Sequence, residues 1–311
     1  MSTTAQPRVD SVIPPTTGRR QLSESWRRRL PLLPALLFMI LLTQVPFVMS
    51  IYYSLTDWKV VPPSPREFVG LDNYSELLSD NFFREAIWTS VQLTVFPVLA
   101  ALVLGTAFAL LLDRKFFGRG IVRTMLITPF LLTPVVIGLI WKNQMFHGLY
   151  GVINWVIEKV GGTPIEFVSQ HPTWSIGITL VWQWTPFMML IMLAGLQSMP
   201  QDVVEAAKVD GSTPFGIFRQ LTLGHLRPYM ELGILLGTIY LIQVYDQIAV
   251  MTGGGPGSTN VPYFVFQRSI GGGWEFGQAS AYSIVVVIAS IIIATIALRV
   301  LSQLLKGEAS A

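Results

Sequence analysis

Apolar residues dominate six stretches of the chain, each about as long as a bilayer is thick. They lie near residues 33–54, 91–112, 121–141, 173–196, 229–250 and 279–301. A helix needs roughly 20 mostly apolar residues to cross about 30 Å of hydrocarbon. Six such stretches leave no room for a large soluble domain. The pattern therefore predicts an all-α, polytopic membrane protein with six transmembrane helices.

Polar and arginine-rich residues fill positions 1–29, ahead of the first apolar stretch. Their composition is typical of a disordered segment, and their arginines suit contact with anionic lipid. The following apolar run continues to residue 54 without a small-residue cleavage pattern, which indicates a retained span rather than a signal peptide. We therefore divide the chain into a disordered cytoplasmic segment, 1–29, and a six-helix membrane domain, 30–311.

Basic residues give the predicted helices an orientation. If the amino terminus is cytoplasmic, 15 of the 21 lysines and arginines fall on the cytoplasmic side. Cytoplasmic flanks of membrane proteins carry such an excess. Both termini and the connections 113–123 and 197–228 are therefore predicted to be cytoplasmic, with 142–172 and 252–278 outside.

Three prolines, Pro129, Pro134 and Pro186, fall inside predicted spans. Each removes a backbone donor and can kink its helix. Kinks are tolerated in membranes where neighbouring helices or a wet cavity satisfy the freed carbonyl. A kink that only improves packing and a kink with a functional role are both open interpretations here.

Composition excludes several kinds of chemistry. The chain has no cysteine, which excludes disulfides, thiolate metal sites and thiol nucleophiles. Its three histidines, His147, His171 and His225, lack metal-site spacing. The net charge of +3 is spread between apolar runs and is not gathered on one face, as nucleic-acid binding requires. Neither a metal nor a nucleic-acid partner is expected.

The connection 197–228 reads as two short helices joined by a sharp turn. Pro200 suits the start of the first helix, and Gly211 suits the left-handed residue that ends it. Thr213 can cap a second helix that begins at Pro214. From the residues alone, this elbow either packs beneath the membrane helices or docks on a partner.

The segment from Glu205 to Gly211, Glu-Ala-Ala-x-x-Asp-Gly, resembles the EAA loop of the membrane subunits of binding-protein-dependent ABC importers. In that family the loop forms coupling helices that dock in a cleft of the cytoplasmic ATPase. Ser212 and Gly224 depart from the family pattern, which usually has Ala and Pro there. The resemblance implies the type I ABC importer permease fold. It also implies these residues for coupling to the ATPase: Glu205, Ala206, Ala207, Asp210, Gly211 and Phe218.

A second resemblance narrows the class. The sequence from Tyr245 to Thr259, and Gly-Leu-Asp-Asn-Tyr at 70–74, are similar to segments of the first permease in maltose-type carbohydrate importers. The resemblance places a periplasmic gate or loop at Asp246, Thr252, Gly253, Gly254, Gly255 and Pro256. The chain contains no G-x-x-x-x-G-K-[ST] phosphate cradle, so it is expected to bind no cofactor. ATP and Mg are expected on a separate ATPase subunit.

Sugar pathways are lined by amides, hydroxyls and aromatic rings. Counting from the EAA loop, the maltose-type resemblance implies a substrate pathway at Gln183, Trp184, Phe187, Gly237, Tyr240, Leu241, Val244 and Thr133. The alternative assigns Trp and Tyr to the interfacial belt and Gln to helix–helix hydrogen bonds. The predicted spans carry Lys and Arg only at their ends, which favours a neutral substrate.

Together these observations favour a permease subunit of an ATP-driven importer in the cytoplasmic (inner) membrane. It would carry a neutral sugar, oligosaccharide or polyol by alternating access and would not itself be an enzyme. Its expected partners are a second permease, two copies of an ABC ATPase, an extracytoplasmic solute-binding protein and membrane lipid. Two alternatives stay open: an ion-coupled secondary transporter, which usually has intramembrane carboxylates or repeated halves, and an ABC permease for a non-carbohydrate solute.

Overall fold

The computed structural model of the chain describes residues 30–306. The predicted disordered segment, 1–29, lies outside the described residues. The chain forms two units, one ending at Met49 and the other beginning at Ser50. Most of the described residues are helical and very few are in strands, so the prediction of an all-α protein is confirmed.

The first predicted span matches helix α1, Leu33–Ser54, which follows a 3₁₀ turn at Leu30–Leu32. Side chains from Leu33 to Met49 are exposed on every face. A helix that is apolar all round suits a lipid environment.

Short elements follow α1, on the side predicted to be outside. The strands β1, Thr56–Asp57, and β2, Glu67–Phe68, pair antiparallel, and helix α2 spans Asp72–Ser79. Asn73 on α2 is buried, and its Nδ2 donates to the carbonyls of Ser54 and Thr56 at 2.9 and 3.1 Å. These bonds fasten the segment after α1 to α2.

Helix α3, Asn81–Asp113, contains the second predicted span but begins ten residues before it. The carboxylate of Asp80 caps this start by accepting from the backbone N–H of Phe82 at 2.8 Å. Such a cap satisfies a donor that the first helical turn leaves unpaired. The predicted boundary at residue 91 is therefore wrong.

The third predicted span, 121–141, is broken. Helix α4, Arg119–Leu131, and helix α5, Pro134–Ile140, meet at an angle of 100°, and a π-helical turn, Trp141–Met145, extends α5. The sequence predicts that Pro134 can kink this span, and the structure shows a complete break there, because proline favours an extended residue before it. Thr133 has that conformation, with φ −68° and ψ 143°. Pro129, in contrast, lies inside α4 without ending it.

Two short helices precede the fourth span, on the side predicted to be outside. They are α6, Val152–Lys159, and α7, Phe167–Gln170. Helix α8, Pro172–Gln197, then forms the fourth span close to its predicted bounds, with Pro186 inside it. Helices α3 and α8 touch at their backbones, since a Cβ added at Gly105 would lie 2.7 Å from Cβ of Met188. Small residues allow such approaches between membrane helices.

The connection 197–228 is shorter than predicted. Helix α9, Gln201–Val209, is followed by α10, Pro214–Ile217, and a π-helical turn, Phe218–Thr222, which leads directly into α11, Leu223–Leu241. The second elbow helix and the fifth span are therefore continuous. Gly224 and Pro228 lie within α11 and do not end it.

The fifth predicted span, 229–250, is also broken. After α11 ends at Leu241, a turn leads to helix α12, Asp246–Met251. The carbonyl of Val244 accepts from Asn260 Nδ2 at 2.5 Å, which satisfies a group that the break leaves free. The prediction of one continuous helix here is wrong.

Helix α13, Val261–Ser269, lies in the connection that is predicted to be outside the membrane. Helix α14, Phe276–Lys306, contains the sixth predicted span. Among the described residues, α1, α3 and α8 are each long and apolar enough to cross a membrane, and α4 with α5 makes a fourth candidate. The fifth and sixth predicted spans correspond to α11 with α12 and to α14.

Candidate functional site

Four aromatic side chains from α4, α8 and α11 meet within the membrane helices. We call Phe130, Trp184, Phe187 and Tyr240 the aromatic cluster. Trp184 lies 5.5 Å from Tyr240 and 5.4 Å from Phe187, measured between ring centroids. Phe130 stacks on Phe187 at 5.3 Å. Tyr240 is 58% exposed, so the cluster presents aromatic surface that the described residues leave open.

Three members of this cluster, Trp184, Phe187 and Tyr240, are among the predicted pathway residues. The fourth member, Phe130, is not among the predicted pathway residues. The residue that the sequence predicts on the third span is Thr133. Thr133 is exposed at the break between α4 and α5. One available signal for Phe130 was its position in the last turn before the break that Pro134 causes.

The other predicted pathway residues are buried where helices pack against each other. Gly237, Leu241 and Val244 are buried, and a Cβ at Gly237 would lie 2.6 Å from Cε of Met188. Gln183 is also buried, and its Oε1 accepts from Gln247 Nε2 at 2.6 Å. This bond joins α8 to α12, in agreement with the helix–helix alternative for Gln183.

The outer parts of the two broken spans pack against each other. We call α5 and α12 the outer pair. A Cβ added at Gly138 would lie 2.3 Å from Cγ2 of Val250, and Lys142 Nζ donates to the carbonyl of Val250 at 3.1 Å. Asp246, a predicted gate residue, is half-buried in the first turn of α12. The outer parts of the third and fifth spans are therefore packed together.

The glycine-rich loop follows α12 and contains the other predicted gate residues, Thr252, Gly253, Gly254, Gly255 and Pro256. Gly253 and Gly254 have φ of +67° and +69°, a left-handed conformation that favours glycine. A Cβ at Gly254 would overlap the ring of Tyr263, at 2.0 Å. The hydroxyl of Thr259 donates to the carbonyl of Gly254 at 2.6 Å. The loop is thus held in one shape.

A cavity of about 470 Å³ lies between the glycine-rich loop and the start of α3. Arg268 lines it, but its guanidinium pairs with Asp80 at 3.1 Å and Glu275 at 3.2 Å. The same side chain lies over the ring of Phe264, 5.2 Å from the centroid. We call this cavity the outer mouth. The positive charge that Arg268 brings to it is compensated by Asp80 and Glu275 of the same chain.

The cytoplasmic elbow has the predicted turn and cap. Gly211 ends α9 with φ +82°, and Thr213 Oγ1 accepts from the backbone N–H of Gly216 at 3.1 Å. The predicted coupling residues differ in exposure: Glu205, Ala206, Asp210 and Gly211 are exposed, whereas Ala207 and Phe218 are intermediate.

Apolar side chains on the elbow also face outward. Val203, Val209 and Phe215 are 44%, 87% and 71% exposed, and we call these three residues the elbow surface. They are not among the predicted coupling residues. The available signal was the presence of large apolar side chains on both sides of a glycine turn. The elbow thus exposes three large apolar side chains near the predicted coupling residues.

A hydrogen-bonded cluster joins the base of the elbow to α11. Ser198 Oγ lies 3.0 Å from His225 Nε2 and 2.8 Å from the hydroxyl of Tyr229. His225 Nε2 also lies 3.1 Å from the carbonyl of Gly195. These residues, which we call the Ser198 cluster, therefore tie the end of α8 to α11 beside the elbow.

Comparison with protein families matches residues 101–306 to the family described as binding-protein-dependent transport system inner membrane component. The chain is 38% identical to a probable ABC transporter permease protein, y4oQ, of Sinorhizobium fredii, with coverage of 82% of this chain and 84% of the relative. It is 33% identical to the trehalose/maltose transport system permease protein MalF of Thermococcus litoralis, covering 86% and 91%. It is 32% identical to the sulfoquinovosyl glycerol transport system permease protein SmoG of Agrobacterium fabrum, covering 87% and 88%.

Solved structures share the fold at lower identity. A chain of a bacterial ABC transporter involved in the import of the acidic polysaccharide alginate superposes with a TM-score of 0.77 at 17% identity, covering 90% of this chain and 96% of that one. A chain of the MetNI methionine ABC transporter gives a TM-score of 0.51, covering 75% and 98%. The type I ABC importer permease fold predicted from the sequence is therefore confirmed.

Proposed function

The chain belongs to the family of binding-protein-dependent transport system inner membrane components, and we propose that it lines the pathway by which an ATP-driven importer carries a carbohydrate. It is a multi-pass inner membrane permease. Because the chain belongs to this family, we reject the alternative that it is an ion-coupled secondary transporter. The aromatic cluster carries the substrate proposal, because aromatic rings pack against the C–H faces of sugars.

The proposed substrate is a neutral sugar, oligosaccharide or polyol. The four rings of the aromatic cluster carry no charge, and Arg268 at the outer mouth is already ion-paired. A phosphorylated or carboxylated solute would need a cationic partner in the pathway. Relatives named as trehalose/maltose permeases support a carbohydrate, while one named for sulfoquinovosyl glycerol makes acidic sugars the necessary comparison.

Uptake by the complete importer in proteoliposomes tests this proposal. Tyr240→Ala should lower uptake at least tenfold, which corresponds to about 1.4 kcal/mol of lost interaction. Trp174→Ala is the matched control, since Trp174 is an equally exposed aromatic residue of α8 that packs on Phe96, away from the cluster. The assay panel contains neutral sugars, polyols, sugar acids, sugar phosphates and amino acids. Preference for a charged solute, or full uptake by Tyr240→Ala, would contradict the proposal.

The proposed partners follow from the surfaces that this chain leaves open. A second permease would face the aromatic cluster, and an extracytoplasmic solute-binding protein would dock at the outer mouth. Two copies of a cytoplasmic ATPase would bind ATP and Mg, one of them contacting Glu205, Ala206, Ala207, Asp210, Gly211, Phe218 and the elbow surface. This chain would bind no cofactor itself.

In this mechanism the outer pair and the glycine-rich loop form the outer gate. Closure of the ATPase dimer would move the elbow, and the Ser198 cluster would carry that movement to α8 and α11. The outer pair would separate as α12 moves with α11, opening the pathway to the binding protein. The hydrogen bond between Gln183 and Gln247 supports this proposal because it ties α8 to the outer gate.

Copurification of the ATPase tests the coupling surface. Phe215→Ser removes the exposed ring of the elbow surface and should reduce both ATPase retention and substrate-stimulated ATP hydrolysis. Phe117→Ser is the control, because Phe117 is fully exposed on the other cytoplasmic connection. Equal loss in both variants would indicate a general defect and would contradict the assignment of docking to the elbow.

A further inference from the structure

Helix α6, on the outer side, presents an apolar face away from the rest of the chain. Its buried side is formed by Asn154, which is 1% exposed, together with the half-buried Ile153 and Ile157. A surface helix bathed in water places polar side chains outward. Helix α6 instead exposes Val152, Trp155 and Val156, while its exposed charged residues, Glu158 and Lys159, lie in the last turn. Three apolar residues beside the helix are also exposed, and we call all six the α6 patch: Leu149, Tyr150, Val152, Trp155, Val156 and Val160.

The orientation of this patch is enforced by buried hydrogen bonds. Asn154 Nδ2 donates to the carbonyls of His147 and Ile165 at 3.0 and 2.9 Å, and its Oδ1 accepts from the backbone N–H of Ile165 at 2.9 Å. Because these bonds use both donors of the amide and its oxygen, α6 cannot rotate to bury its apolar face without losing them. The ring of Tyr150 stacks on His147 with centroids 3.6 Å apart.

The position of α6 in the chain keeps it close to the membrane surface. It lies between the π-helical turn that ends at Met145 and helix α8, which begins at Pro172. Both neighbours belong to membrane-spanning segments that meet the outer interface. Both ends of the segment that contains α6 are therefore tethered close to the outer interface.

The side chains of the α6 patch are of the types found at the membrane–water interface. Trp and Tyr are enriched at membrane–water interfaces. Lys159 stands beside Trp155, with Nζ over the ring and 5.7 Å from its centroid. The stem of a lysine can cross apolar surface and bring its charge to water or phosphate. Protein–protein interface cores, in contrast, are depleted in lysine.

We propose that α6 lies in the headgroup layer of the outer leaflet, with Val152, Trp155 and Val156 at the acyl boundary and Lys159 at the lipid phosphates. The partner of this surface is the bilayer. An interfacial helix joined to α5 by a short turn anchors the outer end of the broken third span while other parts of the transporter move. This inference does not depend on the identity of the substrate.

Spin labels on single cysteines test the depth of α6, and the chain has no native cysteine to interfere. Val156→Cys carries the label on the apolar face, and Glu158→Cys is the control on the same helix. The labelled chain is assembled with cysteine-free partners into the complete importer in nanodiscs. Collision of each label with oxygen, which concentrates in lipid, is compared with collision with a nickel chelate, which stays in water.

The label at 156 should show a higher ratio of oxygen to nickel collisions than the label at 158. A position-156 label reached mainly by nickel would place α6 in water and overturn the proposal. Shielding of that label from both reagents would also overturn it, since the patch would then be covered by a protein partner. Because the measurement needs no transport, its outcome is independent of the transport assays.

Discussion

Glycine at position 105 determines how closely two central helices approach. A Cβ there would lie 2.7 Å from both Cβ of Met188 and the backbone N of Met189. These atoms are fixed to the backbone of α8 and cannot move aside. At Gly237 the close atom is instead the terminal methyl of Met188, which can rotate away. The requirement for glycine is therefore stricter at position 105.

Gly105→Ala should destabilise the protein by about 1–3 kcal/mol, the usual cost of overpacking a well-filled interior. Gly120→Ala is the matched control, because Gly120 lies in α4 with nothing within 4 Å of its Cβ position. Thermal unfolding of both variants in the same detergent measures the difference. A Gly105→Ala transition temperature equal to that of Gly120→Ala would contradict the backbone contact between α3 and α8.

At the scale of elements, hydrophobicity predicted where helices lie but not where they break. Helix α1 and helix α8 agree closely with the prediction because their apolar runs are continuous. The break after α11 passes through apolar residues such as Val244 and depends on Asn260, which is distant in sequence. The break before α5 could be predicted from Pro134 in the sequence. The early start of α3 could likewise be predicted from Asp80, which caps it.

The same limit applies to the candidate site. Trp184, Phe187 and Tyr240 were predicted by counting along two helices, and they do meet. Counting failed to find Phe130, because its place beside Phe187 depends on how α4 packs against α8. Val244 lies beyond the end of α11, where helical periodicity no longer relates its direction to that of Tyr240.

The break after α11 should depend on the side chain that satisfies it. Asn260→Leu would leave the carbonyl of Val244 unpaired and would also remove the cap on the N–H of Tyr263, which Asn260 Oδ1 accepts at 3.1 Å. An unsatisfied buried group costs about 1–3 kcal/mol. We expect a lower unfolding temperature and faster hydrogen exchange in α12. Asn143→Leu, at an exposed site, is the control, and equal stability of the two variants would count against this role.

The coupling elbow depends on a left-handed turn. Gly211 and Gly224 both have open space around their Cβ positions, but only Gly211 has a positive φ, +82°. A β-branched side chain in that conformation costs at least about 1–2 kcal/mol. Gly211→Val should therefore distort the elbow and lower ATPase retention, whereas Gly224→Val should retain it. Equal retention in quantitative copurification would show that the turn is not needed.

At the scale of the whole molecule, the second unit places the connections 113–123 and 197–228, both predicted to be cytoplasmic, at one end. Phe96 contacts Trp174, and Gly105 approaches Met188, so α3 and α8 run in the same direction. Helix α11 runs against them, because Gly233 approaches Leu102 whereas Gly237 approaches Val98. The end of α3, the end of α8 and the elbow therefore lie together, as the distribution of basic residues predicts.

This arrangement predicts which positions react from each side of the membrane. In a chain without native cysteine, Asp210→Cys and Lys115→Cys should react with an impermeant maleimide only in inside-out vesicles. Thr163→Cys, between α6 and α7, should react only in right-side-out vesicles or intact cells. All three positions are exposed, so differences in reaction cannot be attributed to burial. Labelling of Asp210→Cys from the outside would overturn the orientation. Labelling of Thr163→Cys from the cytoplasmic side would show that the broken third span turns back instead of crossing.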